Sequence, residues 1–239
     1  MTAFDLTDFV AKHDRPAVIV PLTARNWADL QGQITLAQAA QIDLVEWRID
    51  LALAADWSPS LTELQQVVAQ VDKPILLTWR TTHDGGDFAF DLARYTQIYD
   101  LAITAGVWGV DVEFWTFAQL ADQVAQWREH VKIVVSAHDF GKVPRDLTAQ
   151  IRAMDSLPVD VVKFAGMVQM PLDVTRLFDA GDLAWAHPLI LLGMGELGQT
   201  TRTRGWQHGS QATFAALTAD QTSAPGQLIW QEMAAYWTR

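Results

Sequence analysis

Val159-Asp160-Val161-Val162-Lys163-Phe164-Ala165 reads as a buried strand with a cation inside it. β-branched and aromatic residues favour a pleated, half-buried surface, yet Lys163 stands near the end of the run. An ammonium among apolar neighbours is costly unless something uses it. An amine held in a dry site also gives up its proton readily. Lys163 is therefore a candidate nucleophile for forming an imine with a carbonyl.

The same kind of short apolar run recurs along the chain, at residues 17–22, 44–49, 74–79, 109–114, 132–137, 159–165, 188–194 and 212–217. Between these runs lie stretches with helical spacing, at 27–40, 61–71, 92–105, 117–128, 147–154 and 174–182. Strands alternating with helices about every 30 residues predict a parallel α/β fold. Near-continuous apolar strands fit a sheet covered on both faces. The length of 239 residues is close to the ~250 typical of a (β/α)8 TIM barrel. An open doubly wound sheet competes, but the first strand runs into Pro21-Leu22-Thr23-Ala24-Arg25, without a glycine-rich phosphate turn. No linker or low-complexity tract divides the chain, so residues 1–239 are expected to form a single (β/α)8 barrel domain.

Composition narrows the functional classes. Hydrophobic residues make up 50% of the chain and charged residues 19%, which is globular. With 17 basic and 28 acidic residues the formal charge is −11, and no nucleic-acid surface is expected. The chain has no cysteine, which excludes disulfides, cysteine-ligated metals and thiol nucleophiles. Residues 1–15 alternate charged and apolar types without an apolar signal core. No apolar run approaches the ~18 residues of a membrane span. A cytoplasmic protein without a membrane partner is the expectation.

In a barrel, chemistry sits at the C-terminal strand ends, and residues two apart on a strand share a face. The second strand ends Glu46-Trp47-Arg48, the third Thr78-Trp79-Arg80 before Asp84-Gly85-Gly86, and the fourth carries Asp111 and Glu113. The fifth ends Ser136-Ala137-His138, the sixth offers Lys163, and the seventh ends Met194-Gly195-Glu196; Arg202 and Ser223-Ala224-Pro225-Gly226-Gln227 follow. Each has a bland reading. Glu46 with Arg48 fits a structural ion pair, His138 fits a loop cap, and Asp111 and Glu113 fit interior charges that support their neighbours. His83 lies beside Asp84 but falls on a loop. No His-x-x-x-His or carboxylate cluster points to a metal. Five strand ends presenting ionisable groups to one mouth favour a site.

Taken in order, several segments resemble the type I 3-dehydroquinate dehydratases. They are Asp43-Leu44-Val45-Glu46-Trp47-Arg48-Ile49-Asp50, Lys73-Pro74 through Thr78-Trp79-Arg80-Thr81, and Ser136-Ala137-His138-Asp139-Phe140. Asp160-Val161-Val162-Lys163-Phe164-Ala165, Gly209-Ser210 to Phe214, and Ser223-Ala224-Pro225-Gly226-Gln227 complete the set. The resemblance covers about 17–227 and implies a TIM barrel, usually a homodimer, that converts 3-dehydroquinate to 3-dehydroshikimate without metal or cofactor. That step belongs to the shikimate pathway of aromatic amino acid biosynthesis or, equally, to quinate breakdown. The resemblance further implies Lys163 as the Schiff-base lysine, His138 as general acid/base, and Asp84 as the group orienting it. Glu46, Arg48 and Arg80 fall on substrate-binding positions, and Arg202 on the partner of the substrate carboxylate. Phe214, Ser223, Ala224 and Gln227 fall on the lid and wall, and Met194 on an apolar wall.

Four departures from the family pattern stand out. Asp84 replaces a glutamate and is shorter by roughly 1.5 Å, so a loop shift or a bridging water is expected. Leu192 replaces a wall methionine, a tolerable apolar swap. Val143 replaces a threonine, removing an expected helix N-cap hydroxyl. The segment from Phe214 to Ser223 is two residues longer. For imine chemistry, burial and the charges of Arg48 and Arg80 are expected to drive Lys163 toward its neutral form. Two other readings remain open: a class I aldolase using Gly193-Met194-Gly195 and Gly198 as a phosphate site, and an idle homologue whose 11 tryptophans build an interface.

Overall fold

The computed structural model describes residues 4–237; residues 1–3 and 238–239, included in the expected 1–239 domain, lie outside the described residues. Eight strands form one sheet: β1 (Ala17–Leu22), β2 (Leu44–Arg48), β3 (Ile75–Thr78), β4 (Gly109–Glu113), β5 (Lys132–Asp139), β6 (Val161–Met167), β7 (Leu189–Met194) and β8 (Ala212–Phe214). They pair in parallel in the order β7-β6-β5-β4-β3-β2-β1-β8. Between the two end strands a bridge joins Leu189 to Ser210. There Gln211 N donates to the Leu189 carbonyl (2.7 Å) and Leu191 N donates to Ser210 Oγ (3.0 Å). The sheet is thus nearly closed into the expected barrel.

Among the described residues, ten α-helices surround or cap it. They are α1 (Leu6–His13), α2 (Trp27–Ala39), α3 (Ile49–Ala54), α4 (Leu61–Gln70), α5 (Leu92–Ala105), α6 (Ala121–Trp127), α7 (Leu147–Asp155), α8 (Pro171–Gly181), α9 (Gln199–Arg204) and α10 (Trp230–Ala234). Strand alternation sorts the side chains into two cores. Val18, Val20 and Leu22 face the helices, whereas Ala17 and Ile19 join Leu44, Leu76, Val134, Val161, Ile190 and Ala212 inside the barrel. Leu6 of α1 packs into that inner core and is 2% exposed, with Phe4, Phe9 and Trp108 against it. Glu46, Asp111, Glu113, Ser136 and Lys163 share the inward register, one strand after another.

Several boundaries differ from the sequence pattern for physical reasons. β5 and β6 run past their apolar cores because His138 pairs with Ala165 and Asp139 with Gly166. The 117–128 helix is split at Leu120 into a 3-10 turn, Phe114–Gln119, and α6. Val143 is not at a cap: α7 starts at Leu147 with Asp146 as its N-cap. Val143 is instead buried, its carbonyl receiving Arg176 Nη1 at 3.2 Å. The threonine-to-valine departure therefore removes no cap hydroxyl from this helix.

Candidate active site

β6 carries Lys163 into the barrel mouth, in register with Ser136 on β5 and Ile190 on β7. The residue is 4% exposed. Its Nζ lies 3.1 Å from Glu46 Oε1, 3.4 Å from Asp111 Oδ2, and 4.2 Å above the Phe214 ring. Two carboxylates thus touch the amine directly, beside the expected charges of Arg48 and Arg80 in the same mouth. Burial works against the Asp111 carboxylate, but the Arg80 and Lys163 charges outweigh it and hold its pKa below the usual range.

Arg48 at the end of β2 and Arg80 just beyond β3 are both anchored. Arg48 does not pair with Glu46, as a structural ion pair would require; it donates Nε and Nη2 to Asp50 at 2.8 and 2.7 Å. Arg80 gives Nη1 to Glu113 (3.0 Å) and Ser136 Oγ (2.9 Å), and Nη2 to Asp111 (2.8 Å). Asp111 and Glu113 thus serve as interior counter-charges. Arg80 lines the pocket with both Nη groups already bonded, so it reaches a ligand through its charge.

His138 ends the apolar part of β5. Its backbone N and its Nδ1 lie 3.0 and 3.2 Å from Asp84 Oδ2. The shorter side chain therefore makes direct contact, with no bridging water required. The loop achieves this through a 3-10 turn, Thr82–Asp84, followed by Gly85 at φ +84°. Gly86 N bonds the Thr81 carbonyl at 2.8 Å, and a Cβ on Gly86 would collide with the carbonyl of Arg80. Burial, then the charges of Arg80, Lys163 and Arg48, push the His138 imidazole well below its ordinary 6.5. It is neutral at pH 7, and with Nδ1–H facing a carboxylate its Nε2 lone pair is free.

Arg202, on α9, is 2% exposed. Its Nη1 donates to the Phe214 carbonyl at 3.3 Å, and its Nε has no partner. It forms no ion pair with a carboxylate among the described residues, and burial pulls its pKa down to about 10. An unpaired buried guanidinium is a ready-made site for an anion. Above it the Ser223–Gln227 loop is docked: Gly195 N donates to the Pro225 carbonyl (3.0 Å), and Ser223 N and Oγ both donate to Gln227 Oε1 (2.7 and 3.2 Å). Gln227 Nε2 is buried and unpartnered.

One cavity of about 60 Å³ brings together Glu46, Arg48, Arg80, Asp84, His138, Lys163, Leu192, Met194, Arg202, Phe214, Ser223, Ala224 and Gln227. That is several times the room one water needs. Sequence reading missed Asp50, which fixes Arg48, and the part played by Ser136. Asp50 was legible only as the second residue after Arg48; the turn into α3 brings it back onto that side chain. The glycine run at the end of β7 is no phosphate cradle. Gly193 N bonds Thr201 Oγ1 (2.7 Å), Gly195 N bonds Pro225, and Gly198 N bonds the Gly195 carbonyl (3.0 Å).

An eight-stranded barrel with a buried lysine, imidazole and arginine at one mouth defines the class, a (β/α)8-barrel enzyme. A family model for type I 3-dehydroquinase matches residues 18–238. The chain belongs to that family. A 3-dehydroquinate dehydratase of Enterococcus faecalis is 34% identical over 232 residues, covering 92% of this chain and 91% of the relative. One of Escherichia coli is 31% identical, covering 95% and 94%. Among solved structures, the Geobacillus kaustophilus dehydratase superposes with a TM-score of 0.83 at 29% identity, covering 93% and 90% of the two chains. The type I enzyme of Clostridium difficile, solved with covalently modified comenic acid, gives 0.84 at 27% identity, with coverage of 93% and 91%.

Proposed function

We propose that the chain dehydrates 3-dehydroquinate to 3-dehydroshikimate through an imine on Lys163. One observation carries this reading: a buried arginine without a carboxylate of its own shares a small pocket with a buried lysine and a neutral histidine. A small hydroxylated keto acid matches those groups. Its carboxylate pairs with Arg202 in a planar, bidentate contact. Its ring hydroxyls meet Glu46, Ser223 and Gln227, and Met194, Leu192, Ala224 and Phe214 wall the ring.

The chemistry follows from the charges. Amine addition to the ketone and loss of water give an iminium, an electron sink next to the α-carbon. Attack requires the free amine, so the Lys163 proton leaves as the ketone arrives; the neutral His138 imidazole is placed to take it and to return it to the carbinolamine hydroxyl, which departs as water and leaves His138 neutral again. His138 then removes the α-proton, and the resulting enamine expels the β-hydroxyl as that imidazolium returns a proton, forming water. Water hydrolyses the conjugated imine and releases the product and the amine. Asp84 holds Nδ1–H and balances the imidazolium. The Clostridium difficile relative, solved with covalently modified comenic acid, supports covalent chemistry in an enzyme of this kind.

The test is turnover of 3-dehydroquinate, followed by the ultraviolet absorbance of the conjugated enone. Metal-independent turnover that vanishes in Lys163→Met is expected. No turnover, with cleavage of a phosphorylated ketose instead, contradicts the proposal in favour of an aldolase; binding without turnover favours an idle homologue.

A further inference from the structure

Asp84 touches two imidazoles, not one. Its Oδ2 meets His138, and its Oδ1 lies 2.7 Å from Nδ1 of His83. Asp84 is 3% exposed, while the His83 side chain is 60% exposed. His83 is nonetheless built in. Its backbone N bonds Thr81 Oγ1 (3.2 Å), and its ring packs on Trp115 with centroids 4.6 Å apart. Trp115 in turn donates Nε1 to Glu113 Oε2 (2.7 Å) and meets Phe90 edge-on.

An ionised carboxylate only accepts hydrogen bonds, so Nδ1 of His83 is the donor. We propose that His83 is a positioning residue for His138: its Nδ1–H holds the short Asp84 side chain ionised and turned toward the His138 ring. The assignment rests on the acid/base role proposed for His138. Aspartate lacks the reach of glutamate, and a second donor on its far oxygen holds the one orientation in which the near oxygen meets His138. The electrostatics agree. Burial and the Glu113 carboxylate push Asp84 up from the usual range, while Arg80, the His83 hydrogen bond and the His138 N–H pull it back. Without His83, Asp84 takes up a proton at higher pH and ceases to fix His138 with its Nδ1–H inward and its Nε2 lone pair free. His83 need not itself change charge, because both its Nδ1–H neutral form and its imidazolium donate.

The experiment compares wild type, His83→Ala, His83→Asn and His138→Ala by steady-state kinetics across about pH 5 to 9. His83→Ala is expected to lower kcat by about 10-fold, a fraction of the 10²–10⁴ an acid/base group supplies. KM should stay within about twofold, and the acid limb of kcat/KM should move to higher pH. The asparagine side chain keeps a donor near the Nδ1 position and restores both kcat and the acid limb. The assignment is overturned if His83→Ala matches wild type, if KM rises in step with the loss of kcat, or if asparagine is no better than alanine. A His138→Ala enzyme with normal turnover breaks the underlying acid/base reading instead. An inactive His138→Ala beside an unchanged His83→Ala breaks only the assignment of His83.

Discussion

Arg202 bears its burial cost alone. A guanidinium held 2% exposed with an unpartnered Nε destabilises the empty protein and is relieved only when an anion arrives. Arg202→Met should therefore raise Tm in the absence of ligand while raising KM by at least about 100-fold, the usual scale for losing a charge-assisted bidentate contact. Arg202→Lys keeps the charge but loses the planar fork, and should also raise KM strongly. Thermal unfolding with and without substrate, beside steady-state kinetics, checks both; a lower Tm with unchanged KM would remove Arg202 from the carboxylate role. His138 works differently, through a proton. His138→Ala should lower kcat by about 10²–10⁴-fold, measured under saturating substrate.

At the scale of elements, α1 is the barrel's floor. Asp5 caps it by accepting from Thr7 N and Asp8 N (2.9 and 3.1 Å), and Leu6 inserts into the inner core. Leu6→Ala should cost about 2–4 kcal/mol of unfolding free energy by denaturant titration, with kcat unchanged because the mouth lies at the other end. A change below ~0.5 kcal/mol would mean the floor carries no load. Residues 1–15 did not mark that helix, because its apolar positions, Leu6, Phe9 and Val10, lie within only about two turns and only Leu6 is fully buried from it. The same physics hid α3, α9 and α10, which have 6, 6 and 5 residues, too short for a helical period to show. All eight strands were legible because their runs are mostly apolar on both faces. The site residues were legible for the opposite reason, being polar where apolar residues belong. Hydrogen-bond partners were not, since Arg48 choosing Asp50 over Glu46 depends on the chain turning into α3. The loop after β3 shows the same dependence: Gly86→Ala should disrupt it against the Arg80 carbonyl and lower kcat through Asp84, as steady-state kinetics would show.

For the molecule as a whole, the buried imidazole couples folding to pH. The folded His138 resists a proton that the unfolded one, near 6.5, accepts. Below about 6.5 the unfolded chain binds more protons, so stability falls with falling pH until the folded value is reached. His138→Gln should flatten that slope, and parallel curves for the two proteins would contradict it. The barrel contributes what no single strand does: it closes eight inward registers around one amine and keeps bulk water off it. That arrangement is tested most directly by covalent capture. Incubation with 3-dehydroquinate and borohydride, followed by peptide mass spectrometry, should find a reduced substrate adduct on Lys163, with loss of activity in proportion. Normal turnover with no adduct on Lys163, or an adduct on another lysine, would contradict the account.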